Sequence, residues 1–200
     1  LARDQRRLAP RAYTAAMASA EGSAGPGPHS LHAPWRQNYI ESLDDKPAKS
    51  GSSSFLADYW NHPESDVKNH VIVRDEMGMI LLNLYPYAGG HLLVALGDPR
   101  PTLLDYDPAQ RAALWRLTDT AAELMQVTIN PQGINIGLNQ GRAAGAGVPT
   151  HLHVHLVPRW AGDVNFINIV GGVRVISASL AVMASRYRAA WETLRAHRSM

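Results

Sequence analysis

The 200-residue chain contains no cysteine. This excludes a disulfide framework, cysteine-ligated zinc or iron–sulfur, and thiol catalysis, and it is compatible with a reducing, cytoplasmic setting. Long apolar runs are also missing. The longest candidates, Met79–Leu84 and Leu92–Leu96, are strand-sized, well short of the ~18 residues a spanning helix needs, so no membrane partner is expected. A clustered basic face is the third absence. The sequence pI is about 9.1, but Arg3, Arg6, Arg7 and Arg11 against Asp4 place +3 in residues 1–16 of a chain whose formal net charge is +2. The rest is slightly acidic and lacks the footprint that tracks a phosphate backbone, so nucleic acid is not the expected ligand. There is no GxxxxGK motif, which excludes a P-loop nucleotide enzyme.

Residues 1–30 are rich in Ala, Arg, Ser, Gly and Pro and end in GSAGPGPHS. Such a composition buries too little apolar surface to offset its ordering entropy, and a disordered tail is expected. One domain is expected over residues 31–200. It opens with LHAPWRQNYI, a linker DDKPAKSGSSS, and FLADYWN. Val71–Val73, Met79–Leu84 and His91–Leu96 read as strands, separated by RDEMG and YPYAGG, which supply turn chemistry. The spacing predicts an antiparallel meander. Asp107-Pro108 signals a helix start, Leu114, Leu117, Ala121 and Leu124 recur at helical spacing, and Asn130-Pro131 ends the run. Ile134–Leu138 and His151–Val157 are again strand-like, joined by the glycine-rich NQGRAAGAGVPT. A C-terminal helix carries Leu180, Met183, Tyr187, Trp191 and Leu194 on one face. The class is α+β with a mainly antiparallel sheet, a long helix packed on it and a C-terminal helix.

The chemistry concentrates in His151-Leu152-His153-Val154-His155-Leu156-Val157-Pro158. Side chains alternate across a strand, so a strand starting at His151 places three imidazoles on one face, roughly 6.5–7 Å apart. Two chemistries could use them. Neutral imidazoles bind transition metals, or one ring nitrogen attacks phosphorus while its neighbours donate hydrogen bonds to phosphate oxygens. Gly141, Gly145 and Gly147 in the preceding loop would let backbone amides converge on an anion, which suits a phosphate better than a bare metal.

The row resembles the His-x-His-x-His signature of the histidine triad superfamily of nucleotide hydrolases and transferases. NLYPYAGGHLLV at 83–94, NIGLNQGRAAGAG at 135–147 and HLHVHLVPRWAGDVNF at 151–166 are similar to its diadenosine tetraphosphate phosphorylase-like branch. The likeness covers roughly residues 31–195. It implies that His153 is the nucleophile that becomes nucleotidylated, that His155 and His91 bind phosphate, and that the backbone of His151 holds His153 in its reactive tautomer. It also implies that Asn83 contacts ribose, that Asn139, Gly145 and Gly147 lie near the phosphates, and that the protein is a homodimer with the long helix near the two-fold axis. An apolar base cleft is expected from Leu82, Leu84, Leu92, Val94 and Ile136, and stacking or dimer contacts from Trp160 and Phe166.

Departures from the family pattern carry expectations too. Where many relatives have a hydroxyl or amide four residues before the first His of the row, this chain has Gly147, followed by Val148. Backbone donors remain there, and Arg142 is a candidate substitute. Zinc-containing members have Cys-x-x-Cys where this chain reads Ser54-Phe55-Leu56-Ala57, and a further ligand falls on Pro99. Only His151 of that set survives, so no metal and no other cofactor is expected. The expected activity is a diadenosine tetraphosphate phosphorylase (adenylyltransferase). The alternatives are a dinucleoside polyphosphate or phosphoramidate hydrolase, and, in another class, a nucleotide-binding regulator with little turnover. An unperturbed imidazole nucleophile would lose activity below about pH 6.

Overall fold

The computed structural model describes residues 54–163 and 178–198. The expected tail at 1–30, the segment 31–53 and Phe166 lie outside the described residues. The described residues include three α-helices, α1 (Phe55–Asn61), α2 (Pro108–Ile129) and α3 (Leu180–Arg198), besides short 3-10 turns. Five strands form one antiparallel sheet: β1 (Val71–Arg74), β2 (Gly78–Leu82), β3 (Leu92–Leu96), β4 (Gly133–Leu138) and β5 (His153–Arg159), in the order β1-β2-β3-β5-β4. The meander and the α+β class agree with the sequence reading. Helix α1 was not foreseen.

Local chemistry accounts for the long helix. Asp107 caps α2 by accepting from the Gln110 amide, while the Gln110 side chain accepts from the Asp107 amide, and Pro108 occupies the first turn, where its missing N–H is harmless. Asn130 closes the other end in the left-handed region at φ 43°, a conformation Asn tolerates. Leu114, Leu117, Ala121 and Leu124 are all buried, as their spacing predicts.

The sheet is covered on both faces, which is why β2 and β3 are buried at every position. On one face Ile80, Leu82, Leu92, Val94, Leu96, Val154 and Leu156 pack against α2 and against Met183, Ala184 and Tyr187 of α3. On the other face Val71, Met79, Leu81, Leu93 and Ala95 form a smaller cluster with Leu56 of α1. Register then assigns the histidines: His153 pairs with Ala95 and His155 with Leu93, so both stand on the α1 face. This corrects the expected base cleft. Leu82, Leu92 and Val94 are fully buried on the opposite face, in the main core; of the five, only Leu84 and Ile136 are exposed.

Gly90 fixes the approach to His91. Its φ is +93°, and a Cβ built on it would lie 2.8 Å from Ile129 Cδ1 and 3.1 Å from the Tyr187 hydroxyl, which donates to the Gly90 carbonyl at 2.8 Å. Gly90→Ala therefore combines a strained backbone with a steric conflict, and we expect a loss of about 1–3 kcal/mol in urea unfolding. Substitution at Gly147 or Gly145 would meet nothing within 4 Å.

Candidate active site

Strand pairing begins at His153 opposite Ala95, and His151 precedes the strand in a turn closed by its own amide on the Val148 carbonyl. Ladder pairing stops at His153, yet the alternation reaches back to His151: Leu152 packs in the same core cluster as Val154 and Leu156, and His151 meets Ser54 at the start of α1, on the face where His153 and His155 stand. His91, immediately before β3, joins them. Its ring lies 5.2 Å from that of His155, which lies 4.8 Å from that of His153.

The protonation pattern follows from the partners. The Tyr87 amide donates to His91 Nδ1 at 3.1 Å, so that nitrogen carries a lone pair. His91 Nε2 then carries hydrogen and donates to His155 Nδ1 at 3.0 Å. A neutral His155 is left with its hydrogen on Nε2. His153 Nδ1–H donates to the His151 carbonyl at 2.9 Å, so a neutral His153 has its lone pair on Nε2. His151 itself is fully buried; Nε2–H donates to the Leu96 carbonyl at 2.7 Å and Nδ1 accepts from the Ser54 hydroxyl at 2.9 Å.

Burial keeps these rings neutral. It pulls His151 and His153 below the ordinary imidazole range, and with the repulsion of a charged His153 it takes His155 down to about 4. The arrangement is a nucleophilic nitrogen at His153 beside an N–H donor at His155. Such a pair can attack an electrophilic phosphorus and bind its non-bridging oxygens.

The remaining predicted residues divide. Asn83 follows β2 and serves the cluster: its Oδ1 accepts from the Tyr85 amide at 3.0 Å, and its Nδ2 donates to His91 Nδ1 at 3.3 Å. Asn139 is half-buried, one residue beyond the last β4–β5 pair, Leu138 with Val154, and so beside the start of β5 at His153. Gly145 sits at φ +85° and its amide donates to the Arg142 carbonyl at 2.8 Å, an internal use of a group expected to face an anion. Gly147 has no such conformation and open space around it. Arg142 is exposed and Trp160 is half-buried just past β5.

Two residues escaped the sequence reading. Tyr87 holds its ring 4.9 Å from His91 and 6.0 Å from His155, nearly parallel to the latter; a tyrosine in a turn carries no signal of this. Ser54 caps α1. A serine immediately before an apolar helical segment was the available clue.

Residues 64–162 match the HIT domain family. The chain is 39% identical over 147 residues to the AP-4-A phosphorylase of Mycobacterium tuberculosis, covering 73% of this chain and 75% of that protein. It is 31% identical over 97 residues to the asymmetrical bis(5'-nucleosyl)-tetraphosphatase of Schizosaccharomyces pombe, covering 48% and 53%. The crystal structure of a zinc-bound histidine triad family protein from Mycobacterium smegmatis superposes with a TM-score of 0.58 at 26% identity, over 72% of this chain and 99% of that one.

The zinc of that relative finds no donor set here. Both His151 nitrogens are engaged by Leu96 and Ser54, there is no thiol in the chain, and among the described residues no group of three or more His, Asp or Glu side chains could hold a metal. The histidine row offers few free donors. His91 uses both ring nitrogens within the protein and His153 and His155 use Nδ1, so two nitrogens remain, too few for a closed tetrahedral site.

The depressed histidines set the pH dependence of stability. Below about 6.5 the unfolded chain takes up protons that the folded site excludes, so stability present above that pH is lost as pH falls toward about 4, where His155 protonates in the folded state. We expect Tm to fall across this window, and a His155 resonance titrating near 4 by NMR.

Proposed function

This chain belongs to the HIT domain family, and on that premise we propose that it cleaves a dinucleoside polyphosphate through a covalent nucleotidyl-His153 intermediate, with inorganic phosphate as the acceptor. The observation that carries the reading is the bond from His153 Nδ1–H to the His151 carbonyl, which leaves Nε2 as the nucleophile. The similarity to an AP-4-A phosphorylase supports the choice of substrate and acceptor.

In the first step Nε2 of His153 attacks the α-phosphorus of diadenosine tetraphosphate. A P–N bond forms, the α–β phosphoanhydride P–O bond breaks, and ATP leaves. No proton has to move from Nδ1, because the imidazolium positive charge that develops is held against the His151 carbonyl oxygen. His155 donates from Nε2–H to a non-bridging oxygen, and His91 keeps it in that tautomer. In the second step phosphate attacks the same phosphorus, the P–N bond breaks, and ADP is released with neutral His153 restored. Asn83 and Asn139 face the nucleotide in this reading, with the ribose and phosphates respectively. Water as acceptor gives a second reading, favoured by the similarity to a bis(5'-nucleosyl)-tetraphosphatase; its products are AMP and ATP.

We also place a homodimer and a cytoplasmic setting in this reading, without nucleic acid or membrane. Trp115 of α2 and Ile136 of the edge strand β4 are each about half exposed, large apolar side chains of the kind a second copy would cover. No helix among the described residues is long and apolar enough to cross a membrane. Light scattering should give twice the chain mass of 21.8 kDa.

The catalytic reading is tested by intact mass after mixing with diadenosine tetraphosphate. The wild type should show a transient adenylyl adduct that His153→Ala lacks, and ADP should appear when phosphate is added. AMP in its place assigns water as the acceptor, and binding without adduct or product assigns a regulator. Burial of His153 places the acid limb of kcat/KM below the ordinary imidazole pKa, at lower pH than an unperturbed histidine would give. Gly147→Gln restores a side-chain amide in open space. We expect unchanged unfolding and a several-fold rise in kcat, short of the 10²–10³ that a single preorganised donor can supply.

A further inference from the structure

We infer that Ser54 is a positioning residue for the nucleophile, acting through the ring of His151. The inference rests on the catalytic reading above and adds a residue to it.

Ser54 lies 97 positions before His151, yet its hydroxyl is 2.9 Å from His151 Nδ1 and both residues are buried. The directions of the bonds are forced. The Leu96 carbonyl can only accept, so His151 Nε2 carries hydrogen. A neutral His151 then has a lone pair on Nδ1, and the Ser54 hydroxyl must donate to it. The Leu56 amide donates to the Ser54 oxygen at 3.2 Å, which turns the hydroxyl hydrogen toward the ring.

The line continues into the site. His151 is clamped between Ser54 on one side and Leu96 at the end of β3 on the other, and its carbonyl is the acceptor for His153 Nδ1–H. His151 precedes the sheet ladder, so its carbonyl is held by local ties: the amide of the same peptide group, on Leu152, donates to the Arg100 carbonyl at 2.7 Å, the His151 amide donates to Val148, and the two ring bonds fix the residue from its side chain. Loss of the hydroxyl leaves a buried ring nitrogen without a partner. The ring then gains by rotating or by changing tautomer, and either change releases the Leu96 bond and shifts the carbonyl on which the His153 tautomer depends. The side chain that would otherwise be read as a relic of a missing zinc ligand therefore performs the clamping that a metal would perform in its place.

Ser54 also caps α1, so the test has to separate the two roles. Glycine is nearly as good an N-cap as serine but has no hydroxyl, whereas threonine keeps the hydroxyl. We expect Ser54→Gly to fold with a Tm lowered by several degrees, from the unpartnered ring nitrogen rather than the cap, to lose about tenfold in kcat and to keep KM within about twofold. Ser54→Thr should return kcat to within about twofold of wild type. In ¹⁵N spectra of the imidazoles, the wild type should show His151 protonated at Nε2 and His153 at Nδ1, and Ser54→Gly should show mixed tautomers at both. Wild-type kcat with unchanged ring spectra in Ser54→Gly would overturn the inference, and so would a loss that threonine does not restore. If the wild type forms no adduct with diadenosine tetraphosphate, the catalytic reading fails. The ring spectra of Ser54→Gly still decide the role of Ser54.

Discussion

A backbone amide can only donate and a backbone carbonyl can only accept, and the four imidazoles of this site are strung between such groups. The Tyr87 amide sets His91, which sets His155; the carbonyl of Leu96 sets His151, and the carbonyl of His151 sets His153. Each ring has one tautomer compatible with its partners. Because burial disfavours the charged forms of His151, His153 and His155, the outcome is a lone pair on Nε2 of His153 and a hydrogen on Nε2 of His155. That difference between two chemically identical side chains makes a nucleophile and a donor out of His153 and His155.

The sheet makes this possible by being covered unequally. The face under α2 and α3 carries the large core and contributes little polar chemistry, whereas the face under α1 has a small apolar cluster beside which the histidines stand. A short helix covers part of that face and leaves the rest to the β2–β3 turn, which supplies Asn83, Tyr85 and Tyr87 to the cluster. Gly90, with its positive φ, is the joint that returns the chain from this turn to β3 with His91 correctly aimed.

Differences from zinc-bound relatives are local in this picture. At the one histidine that the resemblance would assign to a zinc site, His151, both ring nitrogens are committed to Ser54 and Leu96, and its carbonyl accepts from His153. Gly147 differs in kind. A side chain there meets nothing within 4 Å and its φ lies outside the left-handed region, so neither steric room nor a positive φ calls for a glycine.

Periodicity and punctuation made the elements legible: Asp107-Pro108 and Asn130-Pro131 bound α2, and alternating or continuous apolar runs marked the strands. The His-x-His-x-His spacing singled out His153 and His155, since local order and residue type suffice to put two alternate side chains of one strand on the same face. Face assignment was not legible in the same way. Leu82, Leu92 and Val94 look no different in sequence from cleft residues, and only the register of β2, β3 and β5 put them under α2. Likewise His151 follows the alternation although ladder pairing starts two residues later, but its complete burial between Leu96 and Ser54 could not be read from the spacing. The partnerships of Ser54 with His151 and of His91 with His155 span 97 and 64 positions. Spacing along the chain carries no information about which distant groups meet, so the identity of the reactive nitrogens was decided by tertiary structure alone: it depends on which donors and acceptors folding brings within 3 Å.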